Sequence, residues 1–143
     1  MGGSFADGRV KGVMTMPSIR ILTTRLDRPS KQRIARCFAD SVRELLAVPT
    51  VEVFFQEYNT LYVNGEELDG GFVTLQLEGP DRPREILARL CRTLCDNYRA
   101  ISSDLGCQVS FVYHVNDGGH VGINGVLLAN RPSGPSGGIS QTS

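Results

Sequence analysis

The tripeptide Asp-Arg-Pro occurs twice, at Asp27–Pro29 and at Asp81–Pro83, an offset of 54 residues (83 − 29). Each time it separates two segments of different periodicity. SIRILTT (18–24) and GFVTLQLEG (71–79) precede the two copies; both alternate and are rich in β-formers, so both read as strands. After the first copy, Ile34, Ala35, Cys37, Phe38, Val42, Leu45 and Leu46 recur at helical spacing, with Lys31, Arg33, Arg36, Asp40 and Arg43 mostly on the other side. After the second, Ile86, Leu87, Leu90, Cys91, Leu94, Cys95, Tyr98 and Ile101 form the same kind of stripe. Pro29 suits a first helical turn, and Pro49 stops the first helix. VEVFFQE (51–57) and CQVSFVYHV (107–115) then read as the return strands.

This repeat predicts an α+β fold of two tandem β-α-β units, 17–70 and 71–129. A right-handed crossover makes the main strands of each unit parallel. Two units give a four-stranded mixed sheet with two helices on one face. LYVNGEELDGG (61–71) predicts a hairpin turning at Asn64-Gly65, and NDGGHVGINGVLLA (116–129) another turn and a short strand. The uncovered sheet face and the small hairpins lead us to expect an oligomer. Residues 1–16 read as an extension, disordered or belonging to a mis-assigned start, and 130–143 as a disordered Gly/Ser/Pro tail.

Composition narrows the function. The chain of 143 residues suits one domain. Fifteen basic residues balance fifteen acidic ones, which argues against nucleic-acid or polybasic membrane binding. No apolar run approaches the roughly 18 residues of a spanning helix, and MGGSFADGRVKG lacks a signal-peptide core. These features lead us to expect a cytoplasmic protein. Cys91 and Cys95 share a helix face in CRTLC. A metal or redox pair is one reading, but a metal site usually has a Cys-x-x-Cys knuckle and further ligands. Buried thiols in a reducing compartment fit better.

In MTMPSIRILTT (14–24), Pro17 directly follows Met16 and heads the first strand. With the tandem units and the stretch ILTTR…KQR, this resembles the tautomerase superfamily across nearly all of residues 17–128. SKQRIARCFADSVRELL (30–46) and VEVFFQE look like the first helix and second strand of the cis-3-chloroacrylic acid dehalogenase group, and DRPR (81–84) like the double-arginine loop of malonate semialdehyde decarboxylase. The resemblance implies a homotrimer, an amino-terminal proline as catalyst, a small carboxylate substrate, and no cofactor or metal.

The chemistry requires Pro17 to be a free amine. If Met16 is the initiator and is removed, Pro17 becomes a secondary amine; otherwise it is an imide without a basic nitrogen. An apolar pocket lowers the pKa of such an amine toward 7, where it can move a proton between carbon and another atom. Proline at a strand start also has a purely structural explanation. Lys11-Gly12 is compatible with purine-rich codons upstream of Met16, and hence with a misread ribosome-binding site.

The resemblance implies that arginines hold the substrate carboxylate, a planar fork matching it bidentately. Arg25 in ILTTR matches the substrate-binding arginine of 4-oxalocrotonate tautomerase; Arg82 and Arg84 match the arginine pair of the decarboxylase and roughly that of the dehalogenase. Tyr113, in Val112-Tyr113, matches the dehalogenase tyrosine and would donate a hydrogen bond in the pocket; a half-buried sheet tyrosine is the bland alternative. His114 should point to the opposite sheet face. The dehalogenase's first-helix histidine falls on Val42, and its water-activating glutamate on Asn124. A neutral amide cannot act as general base for water, although Asn124 can hydrogen-bond a substrate oxygen. The decarboxylase's acidic partner has no counterpart near Val48-Pro49. The expectation is a cofactor-independent isomerase, a proline-dependent tautomerase acting on a small enolisable or unsaturated carboxylic acid. Pro17 and Tyr113 are its candidate catalytic residues, and Arg25, Arg82, Arg84 and Asn124 its substrate ligands. The alternatives are a dehalogenase or hydratase of the cis-3-chloroacrylate type, and a catalytically silent binding protein on the same fold.

Overall fold

A computed structural model of the chain describes residues 17–116 and 118–130. The expectations for residues 1–16 and for 131–143 lie outside the described residues. Strand β1 (Ser18–Thr23) leads into helix α1 (Arg28–Leu46), strand β2 (Glu52–Glu57) and the hairpin β3 (Leu61–Val63)–β4 (Glu66–Leu68). Strand β5 (Phe72–Gly79), helix α2 (Arg84–Ser102) and strand β6 (Gln108–Val115) repeat the unit. A second hairpin, β7 (Gly122–Ile123) and β8 (Val126–Leu127), and a 3-10 turn at Leu128–Asn130 follow.

The sheet order is β2-β1-β5-β6. β1 is parallel to β2 and β5 to β6, as a right-handed crossover requires, and the units join antiparallel through β1 and β5. Strand periodicity sorts the side chains. Ile19, Ile21, Thr23, Val73, Leu75 and Leu77 are buried beneath the helices. Ile34, Phe38, Val42 and Leu46 of α1, and Leu90, Leu94 and Tyr98 of α2, complete that core at four-residue intervals. Thr23 is its one buried polar residue among those described; its Oγ1 meets Tyr98 Oη at 2.5 Å, tying α2 to β1. Tyr98→Phe removes the hydroxyl's partner and is expected to cost about 1–3 kcal/mol. A urea midpoint lowered at unchanged slope checks this.

The two Asp-Arg-Pro copies behave differently. Asp27 is the N-cap of α1, its Oδ1 accepting from Ser30 N at 2.7 Å, so the helix starts at Arg28 rather than Ser30. That bond, first with the backbone, holds the Asp27 carboxyl below its ordinary value. The second copy stays outside its helix. α2 starts at Arg84 with Pro83 as N-cap and no side-chain cap, and Asp81-Arg82 remain in the connection. α1 ends at Leu46 on Ala47 in the left-handed conformation (φ 56°), before Pro49 is reached.

Both small hairpins turn on Asn-Gly. Asn64 and Gly65 have φ 51° and 83°, and Asn124 and Gly125 have 55° and 86°, the doubly positive pair of a type I′ turn. The first was expected. The second corrects the reading of residues 116–129: two short strands pair there, Gly122 with Leu127 and Ile123 with Val126.

Candidate active site

Pro17 lies at the head of β1, its side chain fully buried. Its carbonyl accepts from Glu52 N at 3.1 Å, and the next residue, Ser18, is flanked in the sheet by Glu52 and Glu78. The C-terminal ends of α1, β5 and β6 reach the same end of the sheet. There Tyr113 Oη donates to Pro80 O at 2.5 Å. Arg82 crosses to the end of α1: Nε and Nη2 donate to Leu46 O at 3.0 and 2.6 Å, and Nη1 to Asp81 O at 2.9 Å. The guanidinium thus satisfies a terminal helix carbonyl at the negative end of the helix dipole.

Gly79 is the hub of this corner. A Cβ there would lie 2.7 Å from Tyr113 Oη and 3.4 Å from Leu46 Cδ1. Only a residue without a side chain lets the tyrosine reach Pro80 and the helix end close over the strand. The structure thereby gathers Pro17, Arg82, Arg84 and Tyr113 at one end of the sheet. Arg84 opens α2, is exposed, and makes no hydrogen bond or ion pair among the described residues.

The other candidates lie elsewhere. Arg25 follows the far end of β1, exposed, beside Glu57; Glu57 accepts from Leu26 N at 3.0 Å and pairs with Lys31 at 2.9 Å. The six residues of β1 lie between Arg25 and Pro17, so the two stand at opposite ends of the sheet. Asn124 is a type I′ turn residue, which accounts for its identity by backbone geometry. Val42 is fully buried in the core. His114 lies on the face away from the helices, with Ser18, Arg20, Phe54, Gln76 and Glu78.

Burial pushes the Tyr113 hydroxyl up to about 12; Arg82 opposes that rise and Asp81 adds to it. The tyrosine is therefore a protonated donor at neutral pH. Because its folded pKa is raised above the ordinary 10, its contribution to stability is complete below pH 10 and is lost as pH climbs toward 12. Tyr113→Phe is expected to flatten the fall in urea stability across that window. An unchanged slope would refute this.

Burial also raises the thiols of Cys37, Cys95 and Cys107, Cys95 to about 11 with its neighbour Cys91 adding to the effect. Protonated thiols are poor metal ligands and poor nucleophiles. No cluster suited to a metal ion occurs among the described residues.

The repeat places a proline at the head of only one of its two first strands. Gln108 N donates to Gly71 O at 2.8 Å just as Glu52 N donates to Pro17 O. The position matching Pro17 in the second unit is thus Gly71, with φ 83°. The use of Arg82 as a clamp on the first unit was not legible from sequence. Its acceptor is 36 residues away, and the matching Arg28 sits inside a helix start.

No protein-family profile and no curated protein matches the chain. Solved structures do. A member of the cis-3-chloroacrylic acid dehalogenase family, N1, superposes with a TM-score of 0.67 at 16% identity, over 77% of this chain and 82% of its own. A fused 4-OT described as a symmetric trimer gives 0.66 at 20% identity, over 81% and 99%. A macrophage migration inhibitory factor-like protein from Entamoeba histolytica gives 0.60 at 12% identity, over 80% and 98%. The fold is that of the tautomerase superfamily.

Proposed function

We propose that the protein is a proline-dependent, cofactor-independent tautomerase acting on a small enolisable or unsaturated carboxylic acid. The observation that carries this reading is the complete burial of Pro17 at the head of a central strand, at the sheet end where the loop of Arg82 and Arg84 sits. With a free amine, Pro17 is the proton acceptor, and burial favours its neutral form. Arg84, with no competing partner among the described residues, is the carboxylate ligand. Arg82 and Tyr113, engaged by main-chain carbonyls, shape the loop that carries Arg84. Arg25 stands too far along β1 to serve its own protomer and would complete a neighbour's site in a homotrimer. The similarity to a fused 4-OT that is a symmetric trimer supports a trimer.

Hydrolytic dehalogenation is the weaker reading. At the dehalogenase histidine position Val42 is sealed in the core, and at the glutamate position Asn124 is a turn residue. A binding protein is favoured if Pro17 is acylated by a preceding residue. Intact mass of the protein from its own host, read with turnover of phenylpyruvate, separates these. A mass starting at Pro17 with turnover supports the tautomerase; a longer chain without turnover supports the binding protein; halide release from a 3-haloacrylate would support dehalogenation.

A further inference from the structure

The pair Cys91 and Cys95 takes no part in the site at Pro17. Both thiols are half-buried on α2. Cys95 Sγ lies 3.9 Å from Val109 O of β6, the outermost strand on its side of the sheet, and Cys91 is close enough to hydrogen bond with it. The repeat supplies an internal control for what packing requires at these two positions. The buried triplets Ile34-Phe38-Val42 and Leu90-Leu94-Tyr98 match at an offset of 56 residues (90 − 34), so Cys91 and Cys95 match Ala35 and Ala39. Val53 of β2, at the same offset from Val109, lines a groove together with those two alanines. In the first unit alanine therefore suffices for the helix to close on its strand, and packing alone does not call for two thiols in the second.

We propose that Cys91 and Cys95 form a two-thiolate site for a soft, two-coordinate cation of the Cu(I) class. Residues four apart on a helix hold their Cβ atoms about 5–6 Å from each other. A disulfide needs about 3.5–4.5 Å between Cβ atoms, so oxidation of the pair would distort the middle of α2. A linear ion asks for less. Two bonds of about 2.3 Å, the length of a zinc–thiolate bond, set the sulfurs about 4.6 Å apart, a span that the helix already offers. The ligand count selects the same class. No group of three or more His, Cys, Asp or Glu side chains suited to a metal ion occurs among the described residues, so ions that need three or four protein ligands find too few here. Thiolates favour Cu(I), which is soft. Binding breaks two S–H bonds, forms two S–Cu bonds and releases two protons to solvent, with no change of oxidation state. Only an ion that bonds thiolate strongly displaces protons from thiols as firmly protonated as these. The bound unit carries one net negative charge; the Arg99 guanidinium near Cys95 favours it and Asp96 opposes it. This site does not depend on the activity proposed for Pro17.

The test mixes the reduced full chain, under nitrogen, with Cu(I) carried by a chromogenic chelator, and counts the copper that stays with the protein after desalting. One ion per chain is expected. The double variant Cys91→Ala, Cys95→Ala gives the second unit the residues of the first; it should unfold in urea at nearly the same midpoint and retain no copper. Should the double variant fail to fold, Cys91→Ser and Cys95→Ser, each with one hydroxyl in place of a thiol, should each lose the ion. Cys37→Ser should keep it. No copper on the unaltered chain, or copper retained by the double variant, would overturn the proposal. So would one ion shared between two chains in a native mass spectrum, because the thiols of one helix would then not suffice. Zinc held as firmly as Cu(I) would also overturn it, because that needs further ligands. Pro17→Ala should bind copper like the unaltered chain, so failure of the tautomerase reading and failure of this one are separate results.

Discussion

Pro17→Ala, in a chain that begins at residue 17, is expected to lower kcat/KM for phenylpyruvate by about 10²–10⁴-fold, the range typical of a lost general acid–base group. Alanine retains an amine there, but a primary one on a freely rotating bond. It loses the ring that fixes the nitrogen's direction and part of the apolar bulk around it. The substitution removes a fully buried ring, so the folded fraction must be checked by urea unfolding before rates are compared. Arg84→Gln should act differently. A carboxylate ligand used in ground and transition states alike raises KM and leaves kcat nearly unchanged. If Pro17→Ala keeps full turnover, the proline is a strand residue and the tautomerase reading fails.

Gly79→Ala carries the second large effect. Its Cβ would sit 2.7 Å from Tyr113 Oη and 3.5 Å from Cζ, with Leu46 Cδ1 at 3.4 Å closing the other side. The tyrosine ring cannot move away without breaking its bond to Pro80 O. Overpacking costs about 1–3 kcal/mol, and the unmade hydrogen bond of a partly buried group adds to it. A total of about 2–4 kcal/mol is expected from urea unfolding. The double variant with Tyr113→Phe takes away the clashing oxygen and should recover part of that loss, a coupling between neighbours that additive costs would exclude. The same pair should disturb the corner holding Arg82 against Leu46 O, so an effect on KM is expected in the double variant even where stability returns.

Much of the fold was legible because its two units repeat. Ile19-Ile21 and Val73-Leu75-Leu77 announce strands by alternation, and Ile34-Phe38-Val42 and Leu90-Leu94-Tyr98 announce helices by spacing. The Asn64-Gly65 turn was read from a dipeptide whose φ > 0 requirement is local. The same dipeptide recurs at Asn124-Gly125 with an equally strong local signal, and the turn it forms competes with the alignment of Asn124 to a catalytic position. The N-cap of α1 was readable in Asp27, whereas its copy at Asp81 sits in a different backbone context and caps nothing.

The sequence by itself determined the periodicities, the turns and the proline at the head of a strand, because each depends on residues within a few positions of one another. Only the tertiary structure decided how the charged residues are used. Arg82 and Arg84 are two positions apart, yet one closes on Leu46 O and the other faces solvent. Pro17 and Arg25 flank the same strand, yet stand beyond its opposite ends. Arg20 and Glu78 face one cavity without pairing. Partners 36 and 33 residues distant, as for Arg82 and Tyr113, are chosen by how the helices close over the sheet, and no local pattern encodes that choice.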